Sequence, residues 1–172
     1  MTPPPLPLPL VASLALTVLG ALPAQQTVVL PADLDNTLYE DAGGSFSNAL
    51  GESVFVGVTA QNLRRRALLR FDVAGAVPSG ARIVAATLDL HVVASGAAQP
   101  APAGLHRVLQ TWGEGTSYAL SGGGGMGAPS TAGDATWLHT FYPGATWARP
   151  GGDFAAAPSA LVSLPTIGAT TT

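Results

Sequence analysis

The chain has 172 residues, enough for one domain of ordinary size once any targeting segment is removed. Charged residues make up 10% of it, against about 25% in an average protein, and with 21 Gly and 15 Pro the balance favours turns and strands over charged surface helices. A net charge of −3 with seven basic residues excludes a broad nucleic-acid footprint, and the absence of cysteine excludes disulfides, thiolate zinc sites and cysteine chemistry.

Residues Leu6 to Leu22 form an apolar run, broken by proline at its start and followed by small residues before Gln25 and Gln26. Its unbroken centre, Leu10 to Leu19, is shorter than the ~20 residues a membrane span needs and fits the apolar region of an export signal. No Lys or Arg precedes it, so the amino terminus is its only positive flank. The expectation is a signal peptide over 1–24, cleaved after Ala24 or Ala21, and a single domain over 25–172. That implies a secreted or cell-surface protein with no membrane span after cleavage.

An acidic group follows: Asp33, Asp35, Glu40 and Asp41, with Asn36. Hard oxygen ligands of this kind suit calcium, although the spacing is not that of an EF-hand loop. Asp33, Asp35 and Glu40 are the candidate ligands of a structural Ca2+, with Asp134 and Asp153 as distant contributors. Acids in a turn are more often simply solvated, and no other cofactor is expected.

Short runs of period two then alternate with turn residues. In Ser53 to Ala60, Val54, Val56 and Val58 share a face. From Arg66 to Val73, the alternation sends Ala67, Leu69, Phe71 and Val73 inward and Arg66, Arg70 and Asp72 outward. Pro78-Ser79-Gly80 makes a turn into the longest expected strand, Arg82 to Val93, where Val84, Ala86, Leu88, Leu90 and Val92 form the apolar face and His91 lies opposite. A further strand fits Gly104 to Thr111. The pattern predicts an all-β fold, an antiparallel β-sandwich of the jelly-roll kind, with a long Gly-rich loop (Ser121 to Gly127) after the central strands. No closing strand is expected in the small, uncharged tail from Ala155 to Thr172.

Catalytic signatures are missing. Gly122, Gly124 and Gly127 satisfy G-x-G-x-x-G formally, but neither a preceding strand nor a following helix is expected there. No G-x-S-x-G elbow, H-E-x-x-H helix or Walker lysine occurs, and His91, His106 and His139 are far apart in the chain. Aromatic residues cluster from Trp112 onward, where flat rings suit stacking on sugar faces, although a buried tryptophan is more often core.

Three stretches carry a resemblance to a known family. Arg65 to Val73 (RRALLRFDV), Pro78-Ser79-Gly80-Ala81 and Ala85 to Leu90 (AATLDL) resemble the central strands of the DNRLRE domain family, secreted β-sandwich modules related to disaggregatase repeats and an alginate-binding module family. Thr111 to Thr116 (TWGEGT) resembles that family's tryptophan and acid turn, and Gly133 to Trp137 (GDATW), Trp147 and Gly151 to Phe154 (GGDF) are similar to its later segments. Members continue with further strands, so the resemblance implies a module incomplete at its C-terminal side.

The resulting expectation is a non-catalytic carbohydrate-binding module for extracellular or cell-wall polysaccharide, with acidic glycans suited to its cations and no role for nucleic acid. Trp112, Trp137, Tyr142 and Trp147 are the stacking candidates, and Arg66, Arg70 and His91 the polar ones. The alternative is a structural or adhesive sandwich module with no sugar ligand.

Overall fold

The computed structural model describes residues 1, 25–97, 99–120, 124–166 and 170–171. The segment expected to be an export signal, 1–24, lies outside them apart from Met1, as does the first part of the Gly-rich tract, 121–123. The fold is all-β and built from short antiparallel pieces. In chain order these are β1 Leu34–Tyr39, β2 Phe46–Ser47, β3 Gly57–Val58, β4 Arg64–Arg70, the helical turn α1 Val73–Ala76, β5 Leu90–His91, β6 Ala101–Leu105, β7 Ala128–Pro129, β8 His139–Phe141, β9 Ala145–Thr146, β10 Ala160–Leu164 and β11 Thr170–Thr171.

The principal sheet has the order β1-β4-β3. Its β1–β4 ladder runs from Leu34 opposite Arg70 to Tyr39 opposite Arg65. Alternation along β1 puts Leu34, Asn36 and Leu38 on one face and Asp35, Thr37 and Tyr39 on the other. The first face meets a loop-rich layer rather than a second sheet: Leu38 and Leu68 are buried with Trp112, Ala135, Trp137 and Trp147, and Leu34, Val108 and Leu138 pack against them. The second face is also covered, because Thr37 Oγ1 accepts from Phe55 N at 2.9 Å and the Tyr39 hydroxyl donates to Gly124 O. The Arg65 guanidinium lies 4.9 Å from the Tyr39 ring centroid.

Asn36 is fully buried, in a position where an unsatisfied amide would be costly. Every side of it is used. Its Oδ1 accepts from Thr37 N (2.7 Å) and Asn48 N (3.2 Å), with Ser47 Oγ at 2.9 Å, and its Nδ2 donates to Glu114 O at 3.1 Å and reaches Ala135 O at 3.5 Å. One side chain therefore ties β1 to the segment after β2 and to two loops of the opposite layer.

Several expectations need correction. The strand expected over 66–73 is displaced to β4, and Asp72 instead caps α1, its Oδ1 accepting from Gly75 N at 2.9 Å. Its faces are also exchanged: Leu68, beside Arg66 and Arg70, is the buried residue, while Leu69 is half-buried and Val73 exposed. The cause is the ladder to β1, which sets Leu68 opposite Asn36 and Arg66 opposite Leu38, over the core.

Of the strand expected over 53–60 only β3 forms, with Val56 and Val58 exposed. Of the long strand expected over 82–93 only β5 is laddered, pairing with β11, and Val84 and Ala86 are exposed while Leu88, Leu90 and Val92 are half-buried. The periodicity is present there, but no neighbouring strand is, among the described residues, to cover 82–89. The strand expected over 104–111 lies earlier, as β6, and pairs with β10 from Ala160 opposite Leu105 to Leu164 opposite Ala101. The tail thus supplies two strands where none was expected.

Replacing Asn36 with Ala strands the N–H groups of Thr37 and Asn48 and the carbonyl of Glu114 in the interior, while Ala135 O keeps Ser47 Oγ, and is expected to cost about 3 kcal/mol. Urea unfolding should show a lower midpoint with an unchanged slope; a loss below about 0.5 kcal/mol would remove Asn36 as the organiser of this core.

Candidate functional site

The stretches 111–116 and 133–137 interlock. Gly113 N donates to Thr140 O at 3.0 Å, and Ala135 N donates back to Gly113 O at 2.7 Å. Asp134, wholly buried, accepts from Thr131 N and Thr131 Oγ1 on Oδ2 and from Ser117 N on Oδ1. Gly115 is required beside it: its φ is +73°, and a Cβ there would stand 1.8 Å from Asp134 Oδ1. Glu114 then reaches the first sheet, its Oε1 accepting from Asp35 N at 2.8 Å.

This framework determines where the candidate ligand residues lie. Trp112, Trp137 and Trp147 are all core residues, 7%, 6% and 5% exposed, with Trp147 Nε1 donating to Thr136 O at 2.9 Å. Their faces are occupied by the protein itself, in keeping with the packing role usual for buried tryptophan. Arg66 is half-buried, its guanidinium 5.0 Å from the Trp137 ring and 5.0 Å from the Phe154 ring, and its Nη1 donates to Gly151 O. A Cβ at Gly151, where φ is +88°, would collide with that group at 2.6 Å. Arg66 is thus a cation held within aromatic packing. Tyr142 is half-buried with its ring edge-on to His139, and His91 is exposed on β5, outside the lining of both clefts described next.

Two open clefts stand out among the described residues. One, of about 430 Å³, is bordered by Glu40, Asp41, Leu63 and Trp137 and carries no basic residue on its lining. The other, of about 390 Å³, lies between the end of β4 and the segment following β6, and its lining includes Arg70, His106, Arg107, Gln110, Thr111 and Trp112. It brings together Arg70 and Trp112 from the sequence candidates, and leaves out Arg66, His91, Trp137, Tyr142 and Trp147. Arg70 is exposed and forked onto Asp33, with Nη2 at 2.7 Å from Oδ2 and Nε at 3.1 Å from it. Arg107 is also exposed, with no hydrogen bond or ion pair from its guanidinium among the described residues. Sequence reasoning missed Arg107 because it is a lone basic residue; its nearness to Trp112 in the chain was the only available signal.

The acids proposed for calcium are not gathered. Asp33 and Asp35 stand at the start of β1 and Glu40 just past its end, roughly 20 Å away at strand spacing. Glu40 Oε1 pairs with Arg64 at 3.1 Å. Among the described residues, no group of three or more His, Cys, Asp or Glu side chains is placed to hold a metal ion. Asp33 is held below the usual carboxylate range, chiefly because Arg70 donates to it. Asp35 is pushed above that range, first by its burial and then by the neighbouring Glu114 charge. Also among the described residues, no helix is long and apolar enough to cross a membrane.

A carboxyl raised on folding weakens the folded state at neutral pH, where it is ionised, and has no such effect below its unfolded value of 3.8. Asp35→Asn is therefore expected to raise the urea midpoint at pH 7, with the gain shrinking to nothing as the pH falls below 3.8. A gain that is the same at both ends of that range would show that burial of the charge is not its source. No protein-family model matches the chain, and neither a curated protein nor a solved structure does.

Proposed function

We propose that this is an exported, non-catalytic carbohydrate-binding module that acts outside the cytoplasm on polysaccharide bearing acidic groups. The observation that carries the reading is the cleft holding Arg70 and Arg107 beside Gln110 and Thr111. All seven basic residues of the chain are arginines. Guanidinium groups present planar donors that fit carboxylate and sulfate oxygens; Arg107 and the Nη1 of Arg70, whose Nε and Nη2 are held by Asp33, with the amide oxygen of Gln110 and the hydroxyl of Thr111 form the polar part of a sugar site. The cleft is open, as binding along a polymer requires. The proposal includes a layered antiparallel module of the DNRLRE type whose second layer is built from loops and short ladders instead of one continuous sheet, supported by antiparallel pairing in every ladder of the described residues.

A structural or adhesive module without a sugar ligand is the second reading. Exposed apolar residues on 83–93 and on β10 favour it: Ile83, Val84 and Val93 are 59%, 63% and 61% exposed, and Leu161 is 78% exposed. Such surface suits association with another protein.

Electrophoresis through native gels containing acidic polysaccharide separates the two. The wild-type chain should be retarded, less so as salt is added, and the R70A/R107A pair should weaken binding about tenfold or more. Equal retardation of the double variant would remove the cleft from the account, and a folded wild type that no polysaccharide retards would favour the adhesive reading.

A further inference from the structure

Resting on the proposed glycan cleft, we propose that His106 sets its specificity: the ring offers a fixed acceptor, Nε2, that reads a sugar hydroxyl beside the anionic group engaged by the arginines. Three contacts hold the imidazole in place. Its Nδ1 lies 2.8 Å from Ala155 O, its ring meets Phe154 edge-on with centroids 5.1 Å apart, and it passes over Gly104. A Cβ at position 104 would come within 2.8 Å of Nε2, so the space that this nitrogen occupies exists because residue 104 is glycine.

The Nδ1 contact determines the role of the other nitrogen. A backbone carbonyl brings no hydrogen to the bond, so Nδ1 must carry it and donate. In the neutral ring Nε2 is then a lone-pair acceptor, and its orientation is set by the carbonyl behind it. Among the described residues Nε2 has no hydrogen-bond partner. The residue lines the same cleft as Arg70 and Arg107.

Arginines alone supply only donors, and so bind any anion that fits between them. An acceptor held beside them adds a different requirement, because it is satisfied only by a group that itself carries a hydrogen. A hydroxyl next to a carboxylate meets both demands. Masking that hydroxyl leaves the acceptor desolvated and unpaired, the situation in which a polar site discriminates most strongly. His106 thus distinguishes free from substituted acidic sugars, a distinction the arginines cannot make.

The test compares polygalacturonate with its O-acetylated form, using the full chain in affinity gels and calorimetry. Wild type should bind the acetylated polymer about tenfold or more weakly. His106→Asn keeps an amide N–H for Ala155 O but has no distal acceptor, so it should bind both polymers equally, at the level wild type shows for the acetylated one. His106→Gln, which carries an amide oxygen near the Nε2 position, should recover part of the preference. Independently of any variant, the 15N resonance of His106 Nε2 in the wild type should move on adding polygalacturonate while that of Nδ1 stays. A full wild-type preference in H106N, or an unmoved Nε2 resonance under saturating polymer, overturns the assignment of His106 alone. Wild type bound by neither polymer overturns the cleft reading along with it.

Discussion

A buried asparagine holds this protein's two layers in register. Asn36 sits in the middle of a strand, a position for which its side chain has poor intrinsic preference. Its amide meets the backbone of β1, of the chain just after β2, and of the loops at Glu114 and Ala135. Every partner left unpaired in the interior would cost far more than a pair exposed to water gains. The network therefore selects one arrangement of the strand against the loops. Asp134 and Ser117 extend the same logic, since each accepts backbone N–H groups that no ladder satisfies. Loops take the place of a second sheet here because side chains supply the hydrogen bonds that neighbouring strands would otherwise make.

The aromatic residues follow from that arrangement. With loops as the facing layer, wide flat side chains fill the space that shorter strand residues fill between two sheets, and Trp112, Trp137 and Trp147 do so beside Leu38 and Leu68. Arg66 enters the same layer because two rings and a carbonyl receive its guanidinium. Residue types that recognise sugars on a surface are used here for construction. The cleft proposed for recognition lies at the end of β4, where the core stops at Trp112 and Arg70, Arg107 and His106 border an open groove.

The all-β class was legible in the sequence, and the position of β4 nearly so, because alternation marks the strands and the run of arginines marks where β4 begins. The faces of β4 were not legible. Leu68 and Leu69 are adjacent leucines, and only the register with Asn36 decides which of them is buried. The segment 82–93 misled for the opposite reason: its alternation is the longest in the chain, yet a strand also needs a neighbour, and periodicity carries no information about one. β10 and β11 escaped notice because each is short and lies among small residues. Of the residues lining the proposed cleft, Arg70 was among the sequence candidates, whereas His106 and Arg107 acquire meaning only once Ala155 and Phe154 are brought against them from far along the chain.

Amide hydrogen exchange tests most directly whether this interior is built on side-chain acceptors rather than on facing sheets. The N–H groups of Thr37, Asn48, Ala49, Ala119 and Thr131, each donated to a side-chain oxygen, are predicted to exchange only on global unfolding, while those of residues 83–88 exchange within seconds. Strong protection across 83–88 together with rapid exchange at Thr37 and Asn48 would contradict the account, and would mean that a laddered second sheet, not the asparagine network, holds the protein together.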